Sequence, residues 1–161
     1  MLKWNYYMNK VKMLLLVVAA VLVQACSAPG PVFEQRLMQD NSAVLYVYRA
    51  KRFKGGGVYP YIYVDGEMKA PLKNGGYLAF DLEPGRHKIE AIGRDWKWDL
   101  PAKSVELVAR AGKDYYIRLD YNVSIDGSSN GNVLVMNYGA GFGPVPEATG
   151  SEQIKKLKLS M

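Results

Sequence analysis

After residue 42 the chain never runs far without a turn signal, and this punctuation restricts it to a fold of short strands. Seven apolar or aromatic runs stand out: 43–49 (AVLYVYR), 58–64 (VYPYIYV), 76–81 (GYLAFD), 86–92 (RHKIEAI), 104–109 (SVELVA), 114–121 (DYYIRLDY) and 132–138 (NVLVMNY). Between them stand Gly55-Gly56-Gly57, Asp65-Gly66, Asn74-Gly75-Gly76, Pro84-Gly85, Ala111-Gly112-Lys113, and the stretch from Asp126-Gly127 to Asn130-Gly131. Asp-Gly and Pro-Gly pairs supply the positive or preset φ that tight reversals need. No amphipathic helical pattern of ten residues interrupts the series. The expected fold is therefore all-β, an antiparallel β-sandwich of about seven strands over residues 43–140. The remainder, 141–161, reads as an extension with a short helix or a last strand within 151–159.

Period-two alternation assigns faces to these runs. In 114–121, Tyr115, Ile117, Leu119 and Tyr121 share the expected core face, with Tyr116, Arg118 and Asp120 pointing out. In 86–92, His87, Ile89 and Ala91 point in, and in 104–109 Val105, Leu107 and Ala109 do. In 58–64, Val58, Pro60, Ile62 and Val64 form one row and Tyr59, Tyr61 and Tyr63 the other. Pro60 has no ladder donor, which predicts an edge position for this strand. The 12 tyrosines against 4 phenylalanines suit strands with one wet face.

The amino terminus follows other rules. Residues 1–12 carry Lys3, Lys10 and Lys12 and no acid, and residues 13–23 are an unbroken apolar run. Eleven residues suit the core of a secretion signal and fall short of the ~20 that span a bilayer as a helix. The run ends in Leu22-Val23-Gln24-Ala25-Cys26, which resembles the bacterial lipobox: aliphatic three before the cysteine, small just before it. The resemblance implies a signal peptide over 1–25, a diacylglycerol on the Cys26 thiol, cleavage before Cys26 and acylation of the new amino group. It also accounts for the only cysteine of an exported chain, which has no disulfide partner. Several acyl chains give stable anchoring where one gives marginal binding. Ser27, rather than Asp, implies delivery to the outer membrane; the domain is expected to face the periplasm, with display at the cell surface as the alternative. Residues 26–42 (CSAPGPVFEQRLMQDNS) read as a lipidated tether.

Removing the leader changes the charge argument. The whole chain has 21 Lys and Arg against 15 Asp and Glu, a net +6. With three lysines in the leader, 18 basic groups remain, or about +3, ordinary for a soluble surface. Apart from Lys51-Arg52-Phe53-Lys54 and Lys155-Lys156 the cations are dispersed, so nucleic acid is not an expected partner.

One wider resemblance combines these signals. Ala43-x-Leu45-Tyr46-Val47-Tyr48-Arg49, then Val64-Asp65-Gly66, Leu82-x-Pro84-Gly85-x-His87 and Ala111-Gly112-Lys113-x-Tyr115-Tyr116 resemble, in that order, a family of bacterial lipoproteins built on a β-rich domain of unknown function. The family is related in pattern to the small Pro-Glu-Gly-Ala surface-layer-type β domains. The similarity covers about residues 42–140 and implies a β-sandwich on a lipid anchor, with no activity attached.

The residues offer little chemistry. His87 is the sole histidine and Cys26 is committed to lipid, so no metal set is expected, and no cofactor. His87, after the Pro-Gly turn, is read as a structural histidine bonding the turn backbone. No nucleophile elbow occurs, and no catalytic residue is assigned. Lys54-Gly55-Gly56-Gly57 lacks the ending of a phosphate loop and reads as a flexible loop. Two contact candidates stand out: the row Tyr59, Tyr61 and Tyr63, with Tyr46 and Tyr48 as candidate neighbours, and the loop with Arg94, Trp96 and Trp98. Trp and Arg are frequent interface anchors. The reading is a lipid-anchored, non-enzymatic binding or structural module with an envelope protein or glycan as partner. Its rivals are a carboxylate-based cell-wall hydrolase and a small-ligand (lipid or glycan) carrier.

Overall fold

The computed structural model describes residues 9–15, 27–93, 100–127 and 134–160, with backbone alone within 123–138. Cys26, Arg94, Trp96 and Trp98 lie outside the described residues. Residues 9–15 form a helix, α1. Nine strands and a second helix follow among the described residues: β1 Ala43–Tyr48, β2 Tyr61–Val64, β3 Glu67–Pro71, β4 Gly76–Leu82, β5 Gly85–Ile92, β6 Lys103–Ala109, β7 Asp114–Gly127, β8 Leu134–Val145, α2 Glu147–Ile154 and β9 Lys158–Leu159. No described helix is long and apolar enough to cross a membrane.

The strands make two sheets, β8-β7-β1-β4-β9 and β3-β2-β5-β6, so the fold is an all-β sandwich. Between the sheets, Leu45, Val47, Leu78, Ile117 and Leu119 of the larger meet Ile62, Val64, Ile89 and Ala91 of the smaller, all buried. The alternating rows of β2, β5, β6 and β7 face this core as their period-two patterns require.

β1 departs from alternation because it is covered on both sides. All six residues are buried. Ala43, Leu45 and Val47 face the sandwich core, whereas Val44, Tyr46 and Tyr48 join a second cluster with Tyr77, Tyr116, Ile154 and Leu157. That outer cluster is roofed by α2 and by the chain before β1. Phe33 sets its ring edge-on to Tyr46 (5.4 Å) and Tyr77 (5.1 Å), and Tyr46 stacks on Tyr116 at 5.1 Å. Burying Ile154 and Leu157 contributes about 1.5–3 kcal/mol each, as an upper estimate.

Several expectations change. Tyr116 does not point to solvent but is buried in this outer cluster, because α2 covers the face that alternation alone would leave wet. The Pro60 strand is not an edge strand. It begins at Tyr61, after the proline, and β3 and β5 flank it. β3 takes the edge instead, and its exposed Glu67, Met68 and Lys69 lack the apolar alternation that marks the others. Asp65 and Gly66, both at positive φ (53° and 82°), make the two-residue turn into it. The sandwich is not purely antiparallel, since β1 pairs in parallel with β7 and β4 with β9.

The chain from residue 27 lies against the domain. Ala28 N–H donates to the Asn74 carbonyl (3.0 Å), Gly30 N–H to Leu159 O (3.0 Å) and Phe33 N–H to Leu157 O (2.8 Å). On the far flank, β1 pairs with β7 only as far as Arg118, whereas β7 and β8 stay paired to Gly127 and Leu134. A two-stranded ribbon therefore continues past the Tyr48 end of the sheet.

Candidate functional site

The first place to look for chemistry is His87. Its Nδ1 lies 2.7 Å from Asp65 Oδ2 and its Nε2 2.8 Å from the Glu83 carbonyl. Asp65 Oδ1 accepts the Lys88 N–H at 2.8 Å. Both ring nitrogens are thus occupied within the protein, which leaves no lone pair for a substrate proton. Burial works against the charged imidazole, but the Asp65 carboxylate and the Glu83 carbonyl outweigh it and raise the pKa. The His87 bond, then the Lys88 amide, lower that of Asp65. A general acid needs the opposite shift. The group staples the Asp65-Gly66 turn to the Pro84-Gly85 turn, the role the sequence indicates.

A cleft of about 480 Å³ beside this staple is lined by Asp65, Glu67, Asp81, Glu83, Lys69 and His87. Three of its carboxylates are engaged, Asp65 by His87, Asp81 by Arg36 and Glu67 by Lys69. No group of three metal-ligating side chains converges among the described residues. Elsewhere, Asp114 is shifted upward by burial against the opposing bond from Gln35, and its Oδ1 is buried without a hydrogen-bond partner.

The predicted tyrosine row sits on the outer face of the smaller sheet. Tyr61 stands opposite Pro71 and Ile92, and Tyr63 opposite Met68 and Glu90. Tyr59 and Tyr61 approach to 6.3 Å, tilted by 59°. All three are half-buried, with Tyr61 and Tyr63 on the same face of β2 beside their cross-strand neighbours. Tyr46 and Tyr48 do not extend this row. They belong to the other sheet and face its opposite, covered side, with Tyr46 Oη accepting the Arg36 N–H (2.9 Å) and Tyr48 Oη donating to Gln153 Oε1 (2.7 Å). Strand β5 ends at Ile92, level with Tyr61 and two residues before Arg94. The tyrosine face and the root of the Arg94 loop are therefore neighbours.

Two features escape sequence reasoning. One is a polar cleft of about 470 Å³ between α2 and β7, where Arg118 donates to Asp120 Oδ2 (2.8 Å) and to Gln153 Oε1 (3.2 Å). Its flank is open because β8 presents Gly143, Gly141 and Gly139 opposite Arg118, Asp120 and Asn122. The other is the loop after β1. Arg49 is 1% exposed and has no carboxylate partner among the described residues. Its guanidinium donates to the carbonyls of Val58 (2.5 Å) and Gly55 (2.7 Å) and stands 5.6 Å from the Tyr121 ring centre. Burial holds its pKa down to about 10. Asn74 closes the other side, accepting from Arg52 N–H at 2.9 Å and donating to Arg52 O at 2.7 Å. The glycine loop expected to be flexible is thus tied at three points. Its sequence signal is Arg49 at the end of an apolar strand, followed by glycines.

Comparison with family models matches residues 39–136, from just before β1 into β8, to a protein family of unknown function (DUF2846). No curated protein and no solved structure matches. The motif order suggests a family of unknown function, and one is found: the chain belongs to the DUF2846 family of proteins of unknown function.

Proposed function

We propose that the chain is an exported lipoprotein, acylated on Cys26 and held at the outer membrane, whose sandwich faces the periplasm as a non-enzymatic binding or structural module. One observation carries the reading: the sole cysteine directly follows a basic and apolar leader ending in Val23-Gln24-Ala25. Supporting it, Ser27 pairs with Asn74, so an anchor at the preceding residue would join the bilayer to the domain without a long free tether.

Work by contact fits the residues better than turnover. His87 has both nitrogens engaged, and Asp65 is shifted away from general-acid duty. A carrier would need a concave pocket lined by the tyrosines, whereas Tyr59, Tyr61 and Tyr63 lie on the outside of a sheet whose inner side is packed with Ile62, Val64 and Ile89. The contact surface we assign is that tyrosine face together with Arg94, Trp96 and Trp98, and its partner is an envelope protein or glycan.

In-cell crosslinking with mass spectrometry tests the assignment. The account expects defined crosslinks that weaken when Tyr61 and Tyr63, or Trp96 and Trp98, are changed to alanine. Crosslinks indifferent to both pairs contradict it. Glycan or peptidoglycan cleavage abolished by one carboxylate substitution would establish the hydrolase instead.

A further inference from the structure

We infer that residues 51–54 form a second membrane contact, laid on the anionic headgroups of the bilayer that carries the lipid anchor; this rests on the reading of Cys26 as the acylated residue. Phe53 is the most exposed large apolar side chain among the described residues, at 101%. Lys51, Arg52 and Lys54 around it are all exposed, and no ion pair joins them to a described carboxylate. An aromatic ring held in water between three cations matches the headgroup region, where rings enter the interface and cations meet phosphates.

The loop presents this patch because it is fixed. Arg49 holds the carbonyls of Gly55 and Val58. Gly55 has φ +73° and lies flat on Tyr121, where a Cβ would come within 2.1 Å of the ring. The turn cannot fold inward to bury Phe53.

Position links the patch to the anchor. Asn74 bonds both segments: its backbone carbonyl accepts from Ala28 N–H at 3.0 Å, and its side-chain amide brackets Arg52 from both sides. Cys26 is two residues before Ala28, a chain reach of about 7 Å at most. The β7–β8 ribbon leaves the same end from the opposite flank of the sheet, since β4 and β9 adjoin Asn74 while β7 and β8 are across β1. A lipid chain is most effective when paired with a basic patch, and here both emerge at one corner.

Lysine footprinting of the full protein isolated from cells tests this. Intact mass first establishes whether the acyl groups are present. The protein is then placed in phosphatidylethanolamine vesicles with or without phosphatidylglycerol, and the acylation rates of Lys51 and Lys54 are compared with that of Lys113, exposed at the other end of β7. We expect Lys51 and Lys54 to react about fivefold more slowly on the anionic vesicles with Lys113 unchanged. Phe53→Ser, which removes a ring that touches nothing in the fold, should abolish most of this protection. Acylated protein whose Lys51 and Lys54 react as fast as Lys113 overturns the loop contact and leaves the anchor standing. A mass without acyl groups overturns both. Protection in cells but not on vesicles assigns the loop to a protein partner and also overturns the proposal.

Discussion

Gly150 of α2 rests on the ring of Tyr116 so closely that a Cβ at position 150 would stand 2.3 Å from the ring's Cγ. The ring has little room to retreat, because its other neighbour is the stacked ring of Tyr46 at 5.1 Å. Two magnitudes compete when this glycine is replaced. Alanine in a helix gains about 1 kcal/mol over glycine, whereas overpacking a filled site costs about 1–3 kcal/mol. Overpacking wins here. Gly150→Ala should lower stability by up to about 2 kcal/mol in urea unfolding. A stabilised variant would mean that α2 does not dock as described.

The Asp65–His87 staple should give the fold a pH signature. Burial opposes the imidazolium, yet the two bonds to His87 leave its pKa raised, while Asp65 is lowered by its bond to His87. A raised histidine stabilises below its unfolded pKa, and the contribution fades as pH rises through the folded value. A lowered carboxylate stabilises above its unfolded pKa, and loses this as pH falls through the folded value. The pair is therefore at full strength between about pH 4 and pH 6.5. Asp65 is half exposed (48%), so screening limits the contribution to about 1 kcal/mol. His87→Gln should cost most near pH 5.5 and visibly less at pH 8.5. A cost independent of pH would show that the ion pair contributes nothing.

Arg49 is a buried cation whose partners are two carbonyls and a ring. Removing it deprives the Val58 carbonyl of its donor and leaves Gly55 O with only the longer bond from Val58 N–H (3.3 Å), so Arg49→Leu should cost about 2–4 kcal/mol. Arg49→Lys, with a single ammonium in place of the fork, should fall between Leu and the native residue. Hydrogen exchange provides a local check, since amides of residues 53–58 should lose protection before those of β1. Unchanged protection would mean that the glycine loop holds itself.

The sandwich is readable where one face of a strand meets solvent. β5 and β6 alternate cleanly, and Ile89, Ala91 and Ala109 are buried as their spacing indicates. Reading fails where tertiary cover changes the rule. Tyr116 looks like a surface residue until α2 is placed over it, and nothing local to 114–121 announces that roof. β3 has no apolar alternation because it is a charged edge strand, and Pro60 suggests an edge that is in fact one strand further on. The tyrosine row was legible, but its separation from Tyr46 and Tyr48 depends on which sheet each strand joins. The clamp on residues 51–54 was hidden for the same reason, since it depends on Asn74, over twenty residues away, and on the chain at Ala28.

The reading stands most directly on Cys26. Cells making the full chain, or the chain with Cys26→Ala, can be separated into soluble and membrane fractions, and the recovered protein weighed intact. The account predicts native protein in the membrane fraction, starting at residue 26 and carrying the mass of its acyl groups, with the variant unacylated and not matured at that position. Native protein that is soluble and unmodified, or that begins at a residue other than Cys26, would contradict it.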